Sequence, residues 1–290
     1  MLHRRNLLPL LVLLSLGSLA QPAVSQVAAT RTLSLEPEQL QNKGLALVKE
    51  AQYFTRFQQF EVALAKAKLA TQLVPDSAQA WAILGALSLN QDQLDPGIQA
   101  LERSLALDAK NPGVHFSLGS AYFRKGRYPD AAKVLEAGLK LQPDVPEALF
   151  DLGNTYYRLK DYPSAVSRYQ KAFNQNKQFW PAINNIGLVQ YELGNIDAAI
   201  ENWKAAIALD DSSGEPKLAL AVALYTKGEQ QAGLDLAETA LKLDNRYGDV
   251  DYLKENLWGD RLITDTQILL ATPKIQETLA QLKTTAGGVE

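Results

Sequence analysis

Three columns of small residues run down this chain, each stepping by 34. Ala51, Gly85, Gly119, Gly153, Gly187 and Ala221 form the first, and Ala63, Gly97, Ala131, Ala165, Ala199 and Gly233 the second. Ala70, Ser104, Gly138, Ala172, Ala206 and Ala240 form the third. Every position is Ala, Gly or Ser, and a fixed period of this length marks a stack of like supersecondary units. The first two columns lie 12 residues apart, on successive helices whose backbones approach closely because no large side chain separates them. The third lies seven residues, about two helical turns, beyond the second. It lets the second helix of one unit nest on the first helix of the next.

Large apolar residues fill around these contacts. Leu84, Leu118, Leu152, Ile186 and Leu220 each precede the first column by one residue, and Leu101, Leu135, Tyr169 and Trp203 mark the second helix. Their spacings are helical and not those of a half-buried strand. Gly126, Gly194 and Gly228 stand in the same frame after helical runs, where a left-handed residue ends a helix. Pro75 and Pro143 close units beside the cap candidates Asp76 and Asp144.

The pattern resembles the tetratricopeptide repeat (TPR) family. Trp81-Ala-Ile-Leu84-Gly85, Leu118-Gly119-Ser-Ala-Tyr122 and Leu149-Phe-Asp-Leu152-Gly153-Asn-Thr-Tyr156 match the start of its motif. Ala165, Tyr169 and Ala172 match its second helix. The resemblance covers residues 44–247 as six units, the outer two degenerate, with Glu50 standing where Leu belongs. It implies an all-α solenoid, a right-handed superhelix of antiparallel helix pairs. Outer units present a polar face to water, so some degeneracy is expected.

Residues 1–25 read as a signal peptide or an N-terminal membrane anchor. Arg4 and Arg5 precede the apolar run Leu7–Ala20, and Ser18-Leu19-Ala20 and Ala23-Val24-Ser25 offer processing sites. The run is short for a span, which needs about 20 residues, so membrane association rests on residues 7–24. Cleavage implies export to a periplasm or thylakoid lumen, and an uncleaved N-terminus leaves the protein membrane-anchored. Residues 26–43 are a lead-in and the start of the first helix, which Ser34-Leu-Glu-Pro37-Glu38 suits.

Removal of residues 1–25 takes Met1, the sole Met, and His3, leaving His115 as the sole His in a chain without Cys. Such a chain builds no His cluster or thiolate site, and the sequence points to no metal and no cofactor. Losing Arg4 and Arg5 with no acid carries the formal net charge from −3 to −5, against the basic excess of nucleic-acid binders. No Walker loop, Gly-x-Ser-x-Gly elbow or His-Glu-x-x-His is present, so the chain reads as no enzyme. Asn90, Asp92 and Asp95, and the stretch Asp210 to Glu215, lack the EF-hand ligand order and fall where turns and caps use such residues. His115 occupies a position where the motif has Trp and reads as packed.

In the TPR family the first helices line a concave groove. The frame places there the column Leu89, Phe123, Tyr157, Tyr191 and Tyr225, with Phe116, Phe150, Asn154, Asn184, Asn185 and Leu188 beside it and Arg124 and Arg158 following. Aromatic area, amide donors and two cations suit an extended peptide or helix of a client protein. Many TPR proteins carry Tyr and Asn here, so the same residues also serve the inner surface without a ligand. Asn154 and Asn185 have the 31-residue spacing of clamps for acidic chaperone C-termini, but Phe150, Glu215 and Ala219 stand where such clamps place cations.

Residues 248–283 continue as capping helices: Asp251–Trp258 ending at Gly259, then Leu262–Leu270 and Lys274–Leu282 around Pro273. Residues 284–290 read as a disordered tail. Tyr252-Leu-Lys-Glu-Asn-Leu-Trp-Gly-Asp-Arg-Leu262 is similar to Pitt-type TPR proteins of photosynthetic membranes, a group implicated in pigment synthesis and photosystem assembly, which implies thylakoid association and a membrane-protein or pigment-enzyme partner. Two functions follow. One is an adaptor that holds a client in the groove during assembly of envelope or photosynthetic membrane complexes. The other is a permanent architectural subunit, bound through its outer face and capping helices.

Overall fold

A computed structural model describes residues 36–286. Residues 1–25, read above as a signal peptide or anchor, most of the lead-in and residues 287–290 lie outside the described residues. Among the described residues there are fifteen α-helices and no strand. Six pairs come first: α1 (Pro37–Arg56) with α2 (Phe60–Leu73), α3 (Ala78–Asn90) with α4 (Leu94–Leu107), and α5 (Pro112–Arg124) with α6 (Tyr128–Leu141). Then follow α7 (Pro146–Arg158) with α8 (Tyr162–Gln175), α9 (Trp180–Glu192) with α10 (Ile196–Leu209), and α11 (Gly214–Thr226) with α12 (Gln230–Leu243). From the second unit on, a 13-residue helix and a 14-residue helix are joined by three-residue turns and four-residue links. Links this short force neighbouring helices antiparallel.

The small columns work by complementing size. A Cβ on Gly85 or Gly119 would sit 2.6 or 2.5 Å from the side chain of Leu101 or Leu135. On Gly153 or Gly187 it would sit 2.5 Å from Tyr169 or Trp203. The partner is always 16 residues on, across the helix pair. Where the column holds Ala, at Ala51 and Ala221, the partner is also Ala, at Ala67 and Ala237, and all four are buried. Glycine opposes a large side chain and alanine opposes alanine, so each pair closes without a void.

The middle residue of every three-residue turn has positive φ: Gln58, Asp92, Gly126, Lys160, Gly194 and Gly228. The left-handed turn is thus imposed at all six places, and glycine stands at three of them. Caps differ from the sequence expectation. Ser77 caps α3 by accepting from the Ala80 N–H at 3.2 Å, one residue after Asp76. Val145 precedes α7, whose first residue is Pro146, while Asp144 accepts from Gln175 at 2.9 Å. Both helices begin one residue later than Asp-capped helices would. In the first unit Glu50 pairs with Lys66 at 2.7 Å, so the charge that departs from the motif meets a partner on α2.

After the sixth pair comes a 3₁₀ turn at Asn245–Gly248, then α13 (Val250–Glu255), α14 (Asp260–Leu270) and α15 (Pro273–Ala286). Gly259, expected to end a helix, is instead the residue that starts α14. Helix α15 continues past Thr284, where an irregular tail was expected, and Thr284 Oγ1 donates to the Gln281 carbonyl at 2.7 Å. It packs on α12 and covers the end of the stack. Helix α14 does something else: it lies against α9 and α11.

Two substitutions test these constraints in urea melts. Gly187→Ala drives a methyl into Trp203, whose indole is pinned by a 3.2 Å bond to the Asn184 carbonyl, and should cost about 1–3 kcal/mol. Gly126→Ala meets no atom within 4 Å, so its loss of about 1 kcal/mol should come from the backbone alone.

Candidate functional site

The first helices touch in sequence, α1 with α3, α3 with α5 and α5 with α7, and form one continuous face. The residues expected in a groove divide sharply along it.

On the C-terminal half they are covered by the chain itself. Tyr157, Asn184, Asn185, Leu188 and Tyr191 are buried. Arg158 Nη2 donates to the Lys254 carbonyl at 2.8 Å, on α13. Tyr191 OH donates to Asp265 Oδ2 at 2.6 Å, on α14, and the Arg261 guanidinium lies 5.6 Å from the Tyr191 ring. Burial first, then the Asp265 carboxylate, pushes the Tyr191 hydroxyl pKa well up. Glu192 reaches the start of α14, where its carboxylate accepts from the N–H groups of Arg261 at 3.3 Å and Leu262 at 3.1 Å. An acid there is favoured by the helix dipole and meets free N–H groups. Gly259 permits the approach: a Cβ on it would lie 2.2 Å from the Glu192 carboxyl carbon. Trp258 is buried, and its Nε1–H donates to Glu215 at 3.2 Å. Burial lifts the Glu215 pKa to about 7, with the Trp258 and Asn184 hydrogen bonds acting against that rise.

The asparagines bond to each other. Asn185 Nδ2 and the Tyr169 hydroxyl both donate to Asn154 Oδ1, at 2.9 and 2.8 Å, and Asn184 Nδ2 donates to Asn185 Oδ1 at 3.0 Å. This spends the amides of the clamp-like spacing on a network inside the fold. Phe150 joins it from the side, its ring tilted 5.6 Å from Tyr169 and edge-to-face 5.3 Å from Phe179. Tyr225 is half-buried at the far end, beside Gly233.

Among the described residues nothing covers the N-terminal half. Phe116 is half-buried against Gly138, and Phe123 is half-buried 5.4 Å from Tyr128. Arg124 is exposed and pairs with Asp92. Beyond them a hollow of about 400 Å³ lies between α1 and α3, lined by Gln52, Thr55, Arg56, Phe60, Ile83, Ala86, Leu87 and Asn90. The groove residues chosen from sequence omit these. A signal was present: Arg56, Asn90, Arg124, Arg158 and Glu192 form one column of step 34, and Gln52 and Ala86 begin another that runs on to Asn154 and Leu188.

Other candidate residues are spent locally. Asp95 pairs with Lys125 at 2.9 Å, and Asp210 accepts from Ser212 and Ser213 in its own turn. Lys217 holds Asp211 at 2.5 Å. His115 is buried, its Nε2 2.9 Å from the Ala109 carbonyl. Among the described residues no group of three or more His, Cys, Asp or Glu is placed to hold a metal, and no helix is long and apolar enough to cross a membrane.

The two halves should respond differently to truncation. Tyr157→Ala should cost about 3 kcal/mol, because it empties buried aromatic volume. Arg124→Ala removes only an exposed ion pair and should change stability by about 0.5 kcal/mol or less. Thermal melts of the two variants beside the parent chain decide this.

A family model for the Cytochrome c-type biogenesis protein H TPR domain matches residues 26–178, more than half of the chain, and a tetratricopeptide repeat model matches residues 184–247. No curated protein matches. Among solved structures, MamA is 23% identical with a TM-score of 0.52, over 57% of this chain and 96% of that one. YrrB, described as a TPR protein with an unusual peptide-binding site, is 19% identical with a TM-score of 0.57, over 66% of this chain and 95% of its own. PilF of Pseudomonas aeruginosa is 18% identical with a TM-score of 0.59, over 76% and 98%. These identities speak to the fold, and they agree with the repeat frame, the helix pairs and the two family models. The chain belongs to the tetratricopeptide repeat family.

Proposed function

We propose that this protein is a non-enzymatic adaptor that seats a peptide or helix of a client protein on the open half of its inner face. The observation that carries this is the hollow between α1 and α3. Its floor is apolar, from Ile83, Leu87 and Phe60, and its rim offers Gln52, Arg56 and Asn90. Apolar side chains of an extended client would fill the floor while rim donors meet its backbone or a carboxylate. Phe123 and Arg124 continue the same face toward α5.

The setting we propose is the exported side of a membrane, in assembly of envelope or photosynthetic membrane complexes. The leader-like residues 1–25 and the segment Tyr252–Leu262 support it, as does the description of the matching family model as the TPR domain of a biogenesis protein.

Ala86 is exposed and lines the hollow, so Ala86→Arg fills it with a residue that suits a helix. Capture from the native extract with tagged parent and variant gives the test. Partners lost with the variant support the adaptor. Partners kept by both sink the groove reading and favour a permanent subunit bound through the outer face, where Val62 and Leu69 are exposed.

A further inference from the structure

The inner face of units four to six is covered by α13 and α14, and the manner of covering differs from the packing within the stack. Helix pairs interlock through glycine against large side chains. The covering segment shares the apolar core of the stack and adds polar contacts at element ends: Arg158 to the Lys254 carbonyl, Glu192 to the start of α14, Tyr191 to Asp265, and Trp258 to Glu215. Its apolar contribution is Leu253, Leu257, Trp258, Leu262, Ile263, Leu269 and Leu270.

Closure carries local costs. Tyr157 OH, Arg158 Nε and Asn184 Oδ1 are buried without a hydrogen-bond partner, and opening returns them to water. Leu257, which joins α13 to Trp258, has φ +69°, a left-handed conformation unfavourable for a branched side chain. The Glu215 carboxyl is surrounded by protein while the residue keeps part of its surface exposed, and no cation lies against it. From α9 it meets the Asn184 amide and from the α13–α14 joint the Trp258 indole; the titratable groups facing it are Tyr247 from the 3₁₀ turn and Tyr169 from α8. Both tyrosine hydroxyls are held neutral by burial.

We propose that α13–α14 is a displaceable occupant of the inner face, which leaves as one unit when pH rises and thereby exposes Tyr157, Asn184, Leu188 and Tyr191, with the Trp258–Glu215 contact as its latch. This goes beyond the adaptor reading, which concerns the open half, and it stands without any client. The sign follows from the proton on Glu215. In the closed form its pKa is about 7, against an ordinary value of 4.5 once the segment leaves and water reaches it. Closure is therefore fully favoured below the ordinary value and loses ground as pH rises through about 7.

Hydrogen exchange on the full chain at about pH 5.5 and about pH 8, expressed as protection factors, tests this. Protection across Val250–Leu270 should fall roughly tenfold or more relative to that of Ile183–Val189. Glu215→Gln keeps an acceptor for Trp258 and removes the titration, so its ratio should not change with pH. Three results overturn the proposal: covering helices that lose protection only together with α9 and α11, a parent chain whose ratio is flat with pH, or a Gln variant that keeps the parent's pH response. The parent measurement stands by itself if the variant does not fold.

Discussion

The stack depends on one interaction, the seating of a large side chain in the space where its partner lacks a Cβ. Leu101, Leu135, Tyr169 and Trp203 each sit over the glycine 16 residues before them. Tyr169 and Trp203 are fully buried, and each also donates a hydrogen bond, to Asn154 and to the Asn184 carbonyl. Large aromatic side chains bring the most apolar area, and their polar tips need a partner when enclosed. The interlock therefore sets two things together: the distance between paired helices, and the position of the asparagine network beneath the inner face.

The apolar core also differs along the length of the chain. A continuous core runs from Leu135 to Ile275, while the first units hold smaller separate clusters around Leu47, Leu64 and Leu101. Ala51 faces Ala67 in the first pair, where the fourth and fifth pairs place glycine against Tyr and Trp. The hollow between α1 and α3 lies at the end with the small separate clusters, and α14 lies against α9 and α11 at the end with the continuous core. The charged residues follow, since the pairs at Asp92–Arg124, Asp95–Lys125 and Asp197–Lys227 are exposed and contribute little to stability.

The inner face is thus in two states within one molecule. Among the described residues, units one to three present it uncovered, and units four to six present it covered by a segment of the same chain. The column at Arg56, Asn90, Arg124, Arg158 and Glu192 shows why. Arg158 and Glu192 bind the backbone of the covering segment, one through a carbonyl and the other through free N–H groups at a helix start. Arg124 pairs with a side chain of the preceding unit instead.

The sequence by itself determined the helix pairs, their period and the family, because glycine and alanine at fixed spacing admit close helix approach and little else. It also placed the left-handed turns, though only where glycine marked them. Gln58, Asp92 and Lys160 take the same conformation without that mark, since the neighbouring helices dictate it. Only the tertiary structure decided which groove residues face outward. Repeat periodicity fixes the direction of a side chain within its own unit and is silent about what a later segment lays over it. Helices α13 and α14 fall outside the period, so no spacing announced that Trp258 would meet Glu215 or that Asp265 would meet Tyr191. Those contacts join positions 43 and 74 residues apart, and they form because the stack brings the end of the chain back over its own inner face.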